Sequence, residues 1–225
     1  MPNKTRAGSS RTRKQQSGVK DIIDTYLFLY NGASFVAWGC VFYMVVLSLL
    51  NSGGDFTVVH NDVRDVLTYV QTGAILEVIH VVLGLVKTPL TTTVIQVTSR
   101  LYLVWGILAP FPEVRSHWAL TTMTIAWSVT EIVRYLYYGL NIAKIQPTWL
   151  LWCRYTFFFV LYPLGAGSES VLEYVSLPYS LEFDKYNIYY YVRIGVLLSY
   201  LPGFYTMYTH MIYQRKKYLS KRKIH

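Results

Sequence analysis

Long uncharged apolar runs constrain this chain more than any other feature of its sequence. The clearest is FVAWGCVFYMVVLSLL at residues 35–50, which contains no charged residue and offers no polar face. A helix of a soluble bundle needs such a face, so the run is typical of a segment surrounded by lipid. The composition agrees, because 53% of the residues are hydrophobic and 21 are tyrosines, which favour membrane–water boundaries.

Six apolar spans follow one another, and each is near the roughly 20 residues that cross the hydrocarbon core of a bilayer. They lie at about 26–50, 66–86, 94–110, 117–139, 149–176 and 187–212. The predicted fold is therefore all-α: a polytopic membrane protein with six transmembrane helices in one bundle. No second block of the sequence is large enough to form a soluble domain.

The net charge of +9 is concentrated at the two ends of the chain. We expect a disordered basic tail at 1–20, a transmembrane domain at 21–214 and a second basic tail at 215–225. With six spans both tails share one side, which the positive-inside rule identifies as cytosolic. Connectors on that side carry Lys87, Arg100 and Lys144. The opposite connectors carry six acidic residues and three basic ones, namely Asp55, Asp62, Asp65, Glu113, Glu182 and Asp184 with Arg64, Arg115 and Lys185.

The basic tails flank apolar spans, which indicates a membrane surface and not a nucleic acid as their partner. Lys221 and Lys223 stand fifth and third from the end and match a dilysine address for retrieval to the endoplasmic reticulum. Receptors read such addresses. The same lysines could serve only as a positive stop after the last span, and both readings stay open.

Ionisable groups at bilayer depth are costly and mark functional sites by default. Of seven candidates, Arg154 lies near a span end and can snorkel to the interface, and Glu173 lies where water could reach it. Glu131 and Arg134 are three residues apart and can pair on one helix, either as a structural ion pair or to hold an acidic substrate group. The other candidates are Glu77, His80 and Glu169.

Glu77 and His80 have the same spacing, and His80 is more often an interhelical hydrogen-bond partner than a metal ligand at such a position. No third ligand accompanies them, so we expect no metal site. The two cysteines lie inside apolar stretches without a CxxC partner, which favours a packing role over a disulfide.

The fifth span contains LYPLGAGSE, in which Tyr162 precedes Glu169 by seven residues. On a regular helix the two would share a face about 10.5 Å apart. Pro163 and Gly165 predict a distorted segment that brings them closer, and irregular backbone at this depth should line a cavity. A phenol and a carboxyl group can perform general acid–base catalysis without a cofactor.

Two neighbouring stretches, WSVTEIVRYLYYGLN and TWLLWCRYTFFFVLYPLGAGSE, resemble the very-long-chain 3-hydroxyacyl-CoA dehydratase family, also called protein tyrosine phosphatase-like, and its plant members in particular. LEVIHVVLGLVKTPL and QVTSRLYLVWGIL upstream are similar to the same family, so the resemblance covers about 26–215. It implies that Tyr162 and Glu169 are the catalytic pair of a hydro-lyase.

The resemblance further implies loss of water from a (3R)-3-hydroxyacyl-CoA, giving a trans-2-enoyl-CoA, as the third step of fatty-acid elongation in the endoplasmic reticulum. The expected partners are the acyl-CoA substrate, membrane lipid, the condensing enzyme and the two reductases. We prefer Tyr162 for the C2 proton and Glu169 at the hydroxyl, with the reverse also open. Arg134, Arg154 or the basic tails could steer the CoA phosphates.

Three other functions, a scaffold, a transporter and a phosphatase, make different demands on the sequence. A catalytically inactive scaffold of the elongation complex or of another membrane complex would not need both Tyr162 and Glu169. A transporter often shows repeats or paired broken helices, which this sequence lacks. A cysteine phosphatase needs an HCx5R loop, but after His80 the chain has Val81 where the cysteine would stand and Lys87 where the arginine would stand, so we expect no phosphatase activity.

Overall fold

The computed structural model describes residues 4–182 and 186–220, and for 4–17, 182, 219 and 220 it describes the backbone only. Every regular element in these residues is helical. In chain order they are α1 (Lys4–Asn51), α2 (Val59–Gly73), α3 (Ile75–Val82), α4 (Leu90–Leu101), a π-helix (Tyr102–Leu108), a 3₁₀ turn (Pro112–Val114), α5 (Trp118–Ile142), α6 (Thr148–Thr156), α7 (Phe158–Ser176), a second 3₁₀ turn (Pro178–Glu182) and α8 (Ile188–Ser220).

The predicted all-α class is confirmed for the described residues, and each predicted span overlaps one helix or two consecutive helices. Two stretches, Gly18–Asn51 and Val59–Val82, are long and apolar enough to cross a membrane, and only 22% and 17% of their apolar windows are buried. A core helix of a soluble protein would be mostly covered. The total of six membrane crossings stays a prediction.

Apolar side chains also cover much of the outer surface. Leu50, Val160 and Leu201 expose 74%, 69% and 75% of their surface. Soluble monomers rarely expose large contiguous apolar patches, so this distribution favours lipid as the solvent of the bundle.

The start of α1 differs from the sequence-based expectation. Helical backbone begins at Lys4, inside the segment for which the sequence predicts a disordered tail. The segment contains no proline after Pro2, and Lys, Arg and Gln are good helix formers, so nothing in it stops the apolar helix from continuing toward the N-terminus. The retrieval address, at 221–225, lies outside the described residues.

The core forms around α5, which packs against α1 on one side and α7 on the other. Its buried face includes Leu120, Met123 and Trp127, spaced three and four residues apart, as expected for one face of a helix. Trp38 and Val41 of α1 belong to the same hydrophobic cluster. This central position means that α5 can present side chains to its neighbours on both flanks.

Two helix ends show why backbone conformation matters at the connectors. After α3, Gly84 has a φ of 69°, its N–H bonds the Val81 carbonyl, and the Leu85 N–H bonds the His80 carbonyl at 2.9 Å, which together form a Schellman motif. After α5 the same hydrogen-bond pattern places Lys144 at a φ of 62°. A side chain in this left-handed region costs energy that glycine avoids.

The break in the fifth span lies earlier than the sequence predicts. α7 is helical from Phe158 to Ser176 with Pro163 inside it, and the interruption falls at Phe157 between α6 and α7. Proline lacks an N–H and crowds the carbonyl four residues before it, which here is that of Phe159, so the interruption at Phe157 lies two residues upstream of this direct effect. The expectation of distorted backbone between Tyr162 and Glu169 is therefore wrong.

Candidate active site

Small side chains let α5 and α7 approach closely next to the candidate site. A Cβ built on Gly165 would lie 3.6 Å from the Ala126 Cβ and 4.0 Å from the Trp127 ring. One turn further along α7, Glu169 meets that tryptophan, and the Trp127 indole N–H donates a hydrogen bond of 2.7 Å to its Oε1. The close approach of the two helices thus brings an indole N–H to the carboxylate.

The second oxygen of the same carboxylate is also occupied. The Tyr200 hydroxyl of α8 donates to Glu169 Oε2 at 3.2 Å. Glu169 is half-buried, and its two oxygens accept hydrogen bonds from two different helices. These two hydrogen bonds fix the orientation of the carboxylate.

Tyr162 lies on the same helix but toward its beginning. Its half-buried ring stacks on Phe204 and Tyr208 of α8, with centroid distances of 5.2 and 6.3 Å. Because α7 is a continuous helix here, Tyr162 and Glu169 are about 10.5 Å apart along its axis. No hydrogen bond joins them within the described residues.

Both side chains face α8, and a third pair continues the row. Tyr162 meets Phe204, Glu169 meets Tyr200, and Glu173 meets Arg193. Later residues of α7 thus contact earlier residues of α8, so the two helices run antiparallel. The row places a phenol and a carboxylate on one interhelical face, where a ligand inserted between them could touch both.

The Glu173–Arg193 pair closes the deep end of this row. Both side chains are fully buried, and Arg193 Nε donates to Glu173 Oε1 at 3.0 Å. The Tyr102 hydroxyl donates to the same carboxylate at 3.0 Å, and Arg193 also bonds Ser176. The expectation that water solvates Glu173 is therefore wrong. Arg193 is a charged residue of the predicted sixth span, and this charge could have indicated the partner of Glu173.

A four-residue ion network lies beside the site. Arg134 pairs with Glu131, as the sequence predicts, and also with Glu77. Arg100, counted on sequence grounds with the cytosolic connectors, is in α4 and pairs with Glu131. Two arginines and two carboxylates balance one another, which is what burial requires.

This network touches the candidate site through one ring. The Arg100 guanidinium lies 5.3 Å from the Trp127 ring centroid, and Trp127 donates to Glu169. Arg100 therefore contacts the donor of the Glu169 hydrogen bond without pairing with the carboxylate itself.

Sequence reasoning missed Trp127 and Tyr200, because an indole and one tyrosine among 21 carry no spacing signal.

His80 and the cysteines take no part in the site. His80 does not bind Glu77; its Nε2 shares a hydrogen bond of 2.8 Å with the Tyr26 hydroxyl, the interhelical role that the sequence favours. Cys40 and Cys153 are free thiols. Within residues 4–182 and 186–220, no cluster of three or more His, Cys, Asp or Glu side chains could hold a metal ion.

A groove of about 420 Å³ lies elsewhere, between α2 and the π-helix, lined by residues that include His60, Thr68, Trp105 and Arg115. Neither Tyr162 nor Glu169 lines it. The Glu169 carboxylate with its two donors and the Tyr162 phenol lie instead on the face shared by α5, α7 and α8.

Comparison with known proteins identifies relatives over most of the chain. Residues 71–221 match the family described as protein tyrosine phosphatase-like protein, PTPLA. The very-long-chain (3R)-3-hydroxyacyl-CoA dehydratase PASTICCINO 2A of Oryza sativa subsp. japonica is 43% identical over 88% of this chain and 94% of its own length. No solved structure matches.

More distant organisms have relatives with the same description. The dehydratase hpo-8 of Caenorhabditis elegans is 40% identical over 89% of this chain and 99% of its own length. The dehydratase 2 of Homo sapiens is 35% identical over 89% of this chain and 83% of its own length. The chain therefore belongs to the PTPLA family, which includes very-long-chain (3R)-3-hydroxyacyl-CoA dehydratases of plants, nematodes and mammals.

Proposed function

We propose that this protein is a hydro-lyase that converts a (3R)-3-hydroxyacyl-CoA into a trans-2-enoyl-CoA and water. The observation that carries the proposal is the Glu169 carboxylate, which accepts hydrogen bonds from Trp127 at 2.7 Å and Tyr200 at 3.2 Å. Tyr162 lies on the same helix and faces the same neighbour, α8. Membership of a family of dehydratases supports the same reaction.

The reaction breaks a C–H bond at C2 and a C–O bond at C3 of the acyl chain. The electron pair of the C–H bond forms the new double bond, and hydroxide leaves with an added proton as water. One group must therefore accept a proton while another donates one. Tyr162 and Glu169 supply the two groups, and the chemistry calls for no cofactor.

The hydrogen bonds at Glu169 favour one assignment of roles. The Trp127 and Tyr200 hydrogen bonds orient the Glu169 carboxylate, whose oxygens can accept the C2 proton. A protonated phenol can donate to the leaving hydroxyl, so we place Tyr162 there. The sequence alone favours the reverse assignment, with Tyr162 at the C2 proton and Glu169 at the hydroxyl, but it gives no information on the contacts of either group.

The surroundings of the reaction follow from the same proposal. The acyl chain would lie among apolar helices of the bundle. We place the reaction in the endoplasmic reticulum membrane with both termini cytosolic, as the third step of very-long-chain fatty-acid elongation. The condensing enzyme would supply its upstream intermediate through the first reductase, and the enoyl reductase would consume the product.

The test uses the full chain purified in detergent with a (3R)-3-hydroxyacyl-CoA, and the enoyl product is measured by mass spectrometry. Wild-type protein should form it, whereas Tyr162→Phe and Glu169→Gln should each lose almost all turnover. Tyr205→Phe, at a 72% exposed position, and Glu113→Gln are matched controls that should retain it. Near-normal turnover in Tyr162→Phe or Glu169→Gln would remove that residue from the chemistry, and no turnover by folded wild-type protein would favour the scaffold alternative.

A further inference from the structure

The described arginines differ in how their charge is compensated: Arg64 pairs with Asp65, whereas Arg115, without a carboxylate partner, donates to the Leu108 and Ala109 carbonyls. Arg100, Arg134 and Arg193 each pair with a carboxylate. Arg154 and Arg215 have no carboxylate partner among residues 4–182 and 186–220, and aromatic rings surround them instead. A half-buried cation without a carboxylate partner is costly among apolar helices, which indicates that an anion from outside the chain binds these two arginines.

Arg154 lies where the end of α5 meets α6. Its guanidinium is 4.6 Å from the Tyr137 ring centroid and 4.8 Å from that of Tyr138, and its Nη2 donates to the Tyr138 hydroxyl at 3.1 Å. Tyr155 is the third ring, at 5.9 Å. Hydrogen bonds to the Tyr138 and Tyr155 hydroxyls leave most of the five guanidinium donors available.

Arg215 approaches the same end of the bundle from α8. Tyr218, one turn beyond it, stacks on Tyr155 with centroids 4.8 Å apart, so the last turns of α8 lie against α6. The Arg215 guanidinium is 5.3 Å from the Phe159 ring centroid. Its Nε is buried and has no hydrogen-bond partner among the described atoms.

An aromatic row connects these cations to the candidate active site. Phe159, beneath Arg215, contacts Tyr208 edge-on at 6.3 Å, and Tyr208 stacks with Tyr162. Arg154 precedes Tyr162 by eight residues, with the break at Phe157 between them. The two cations are therefore remote from the reacting groups, and a row of aromatic contacts connects the two places. The phosphates of a CoA thioester are likewise remote from its acyl carbon.

We propose that Arg154 and Arg215 bind the phosphates of the CoA group, with neighbouring tyrosine rings available to stack on its adenine. The inference rests on the proposed function and assigns its substrate-binding end. A guanidinium pairs with phosphate through two parallel hydrogen bonds, and aromatic faces stack on nucleobases. Arg134 is excluded from phosphate binding because its guanidinium already pairs with Glu77 and Glu131.

Phosphate chemistry has a second source here, since a cation near a span end can reach the phosphates of lipid headgroups. The experiment separates the two sources by comparing two substrates with the same acyl group. One is the (3R)-3-hydroxyacyl-CoA, and the other is the corresponding N-acetylcysteamine thioester, which has no phosphate and no adenine.

Arg154→Gln and Arg215→Gln should each raise KM for the CoA thioester about 10-fold or more, which is the loss of a charge-assisted hydrogen bond. Turnover of the N-acetylcysteamine thioester should stay unchanged, which also shows that the variants fold. Arg154→Lys should recover only part of the affinity, because ammonium lacks the planar fork. Arg64→Gln, which removes an exposed arginine paired with its neighbour Asp65, is the control with no expected effect.

A binding measurement separates failure of this inference from failure of the proposed reaction. Titration of unacylated CoA into Glu169→Gln protein should show binding that the added Arg154→Gln change weakens about 10-fold. Equal KM changes for both thioesters would overturn the phosphate assignment. So would unchanged CoA binding combined with loss of co-purified anionic lipid, which would assign the cations to the membrane. If wild-type protein binds CoA but turns over neither thioester, only the proposed reaction fails.

Discussion

The buried Glu173–Arg193 pair gives the sharpest prediction about stability, and it does not depend on the proposed reaction. We expect Arg193→Met to be among the most damaging single changes in the chain. Arg193 is fully buried, and its guanidinium donates to the Glu173 carboxylate, the Ser176 carbonyl and the Ser176 hydroxyl. Methionine fills similar space but satisfies none of these acceptors.

The magnitude follows from what the substitution leaves behind. The Glu173 carboxylate would stay buried with only the Tyr102 hydroxyl as a hydrogen-bond donor. Removal of one partner from a buried ion pair costs about 3–5 kcal/mol. For a chain of 225 residues, each kcal/mol corresponds to about 2–4 °C in Tm, so the expected loss is roughly 6–20 °C.

Thermal unfolding in one detergent, followed by circular dichroism, measures this shift. The double variant Glu173→Leu with Arg193→Met should recover most of the loss, because replacement of a whole buried pair by apolar groups is often neutral. Arg64→Gln, which removes an exposed ion pair, should shift Tm very little. A loss below about 1 kcal/mol for Arg193→Met, or a double variant no better than the single one, would refute the reasoning.

Three further predictions concern the site and its support. Tyr200→Phe should lower kcat about 10-fold or more with KM nearly unchanged, because Glu169 loses one of the two donors that orient it; an unchanged kcat would show that this hydrogen bond is dispensable. Lys144→Gly should raise the free energy of unfolding by about 0.5–1 kcal/mol, since glycine adopts the positive φ freely, and an equal or lower Tm would contradict this. Glu131→Gln combined with Arg134→Gln should reduce the yield of folded protein, whereas normal yield with lost turnover would indicate a substrate role.

The helices were predictable because long apolar runs in the sequence indicate them. The first span is recognisable from residues 35–50 alone, and α1 and α5 begin or end close to the predicted bounds apart from the N-terminal extension. The position of the break at Phe157 was not predictable, since a proline indicates that the helix is interrupted nearby but not at which residue.

The candidate site was only partly predictable for a similar reason. Tyr162 and Glu169 were found through their spacing and the motif around them, and that spacing is a property of one helix. The donors Trp127 and Tyr200 come from α5 and α8, so their convergence depends on helix packing. Arg193 and Glu173 show the same limit: each is visible as a charge, but their pairing is a fact of three dimensions.

The unbroken helix between Tyr162 and Glu169 makes their separation a matter of residue count. Seven residues turn a helix to within about 20° of two full revolutions, so phenol and carboxylate share one azimuth. One alanine inserted between them would rotate one about 100° relative to the other and leave them about 80° apart, and no side-chain movement could restore the alignment. Substitutions among the intervening residues should thus be far better tolerated than any change in their number.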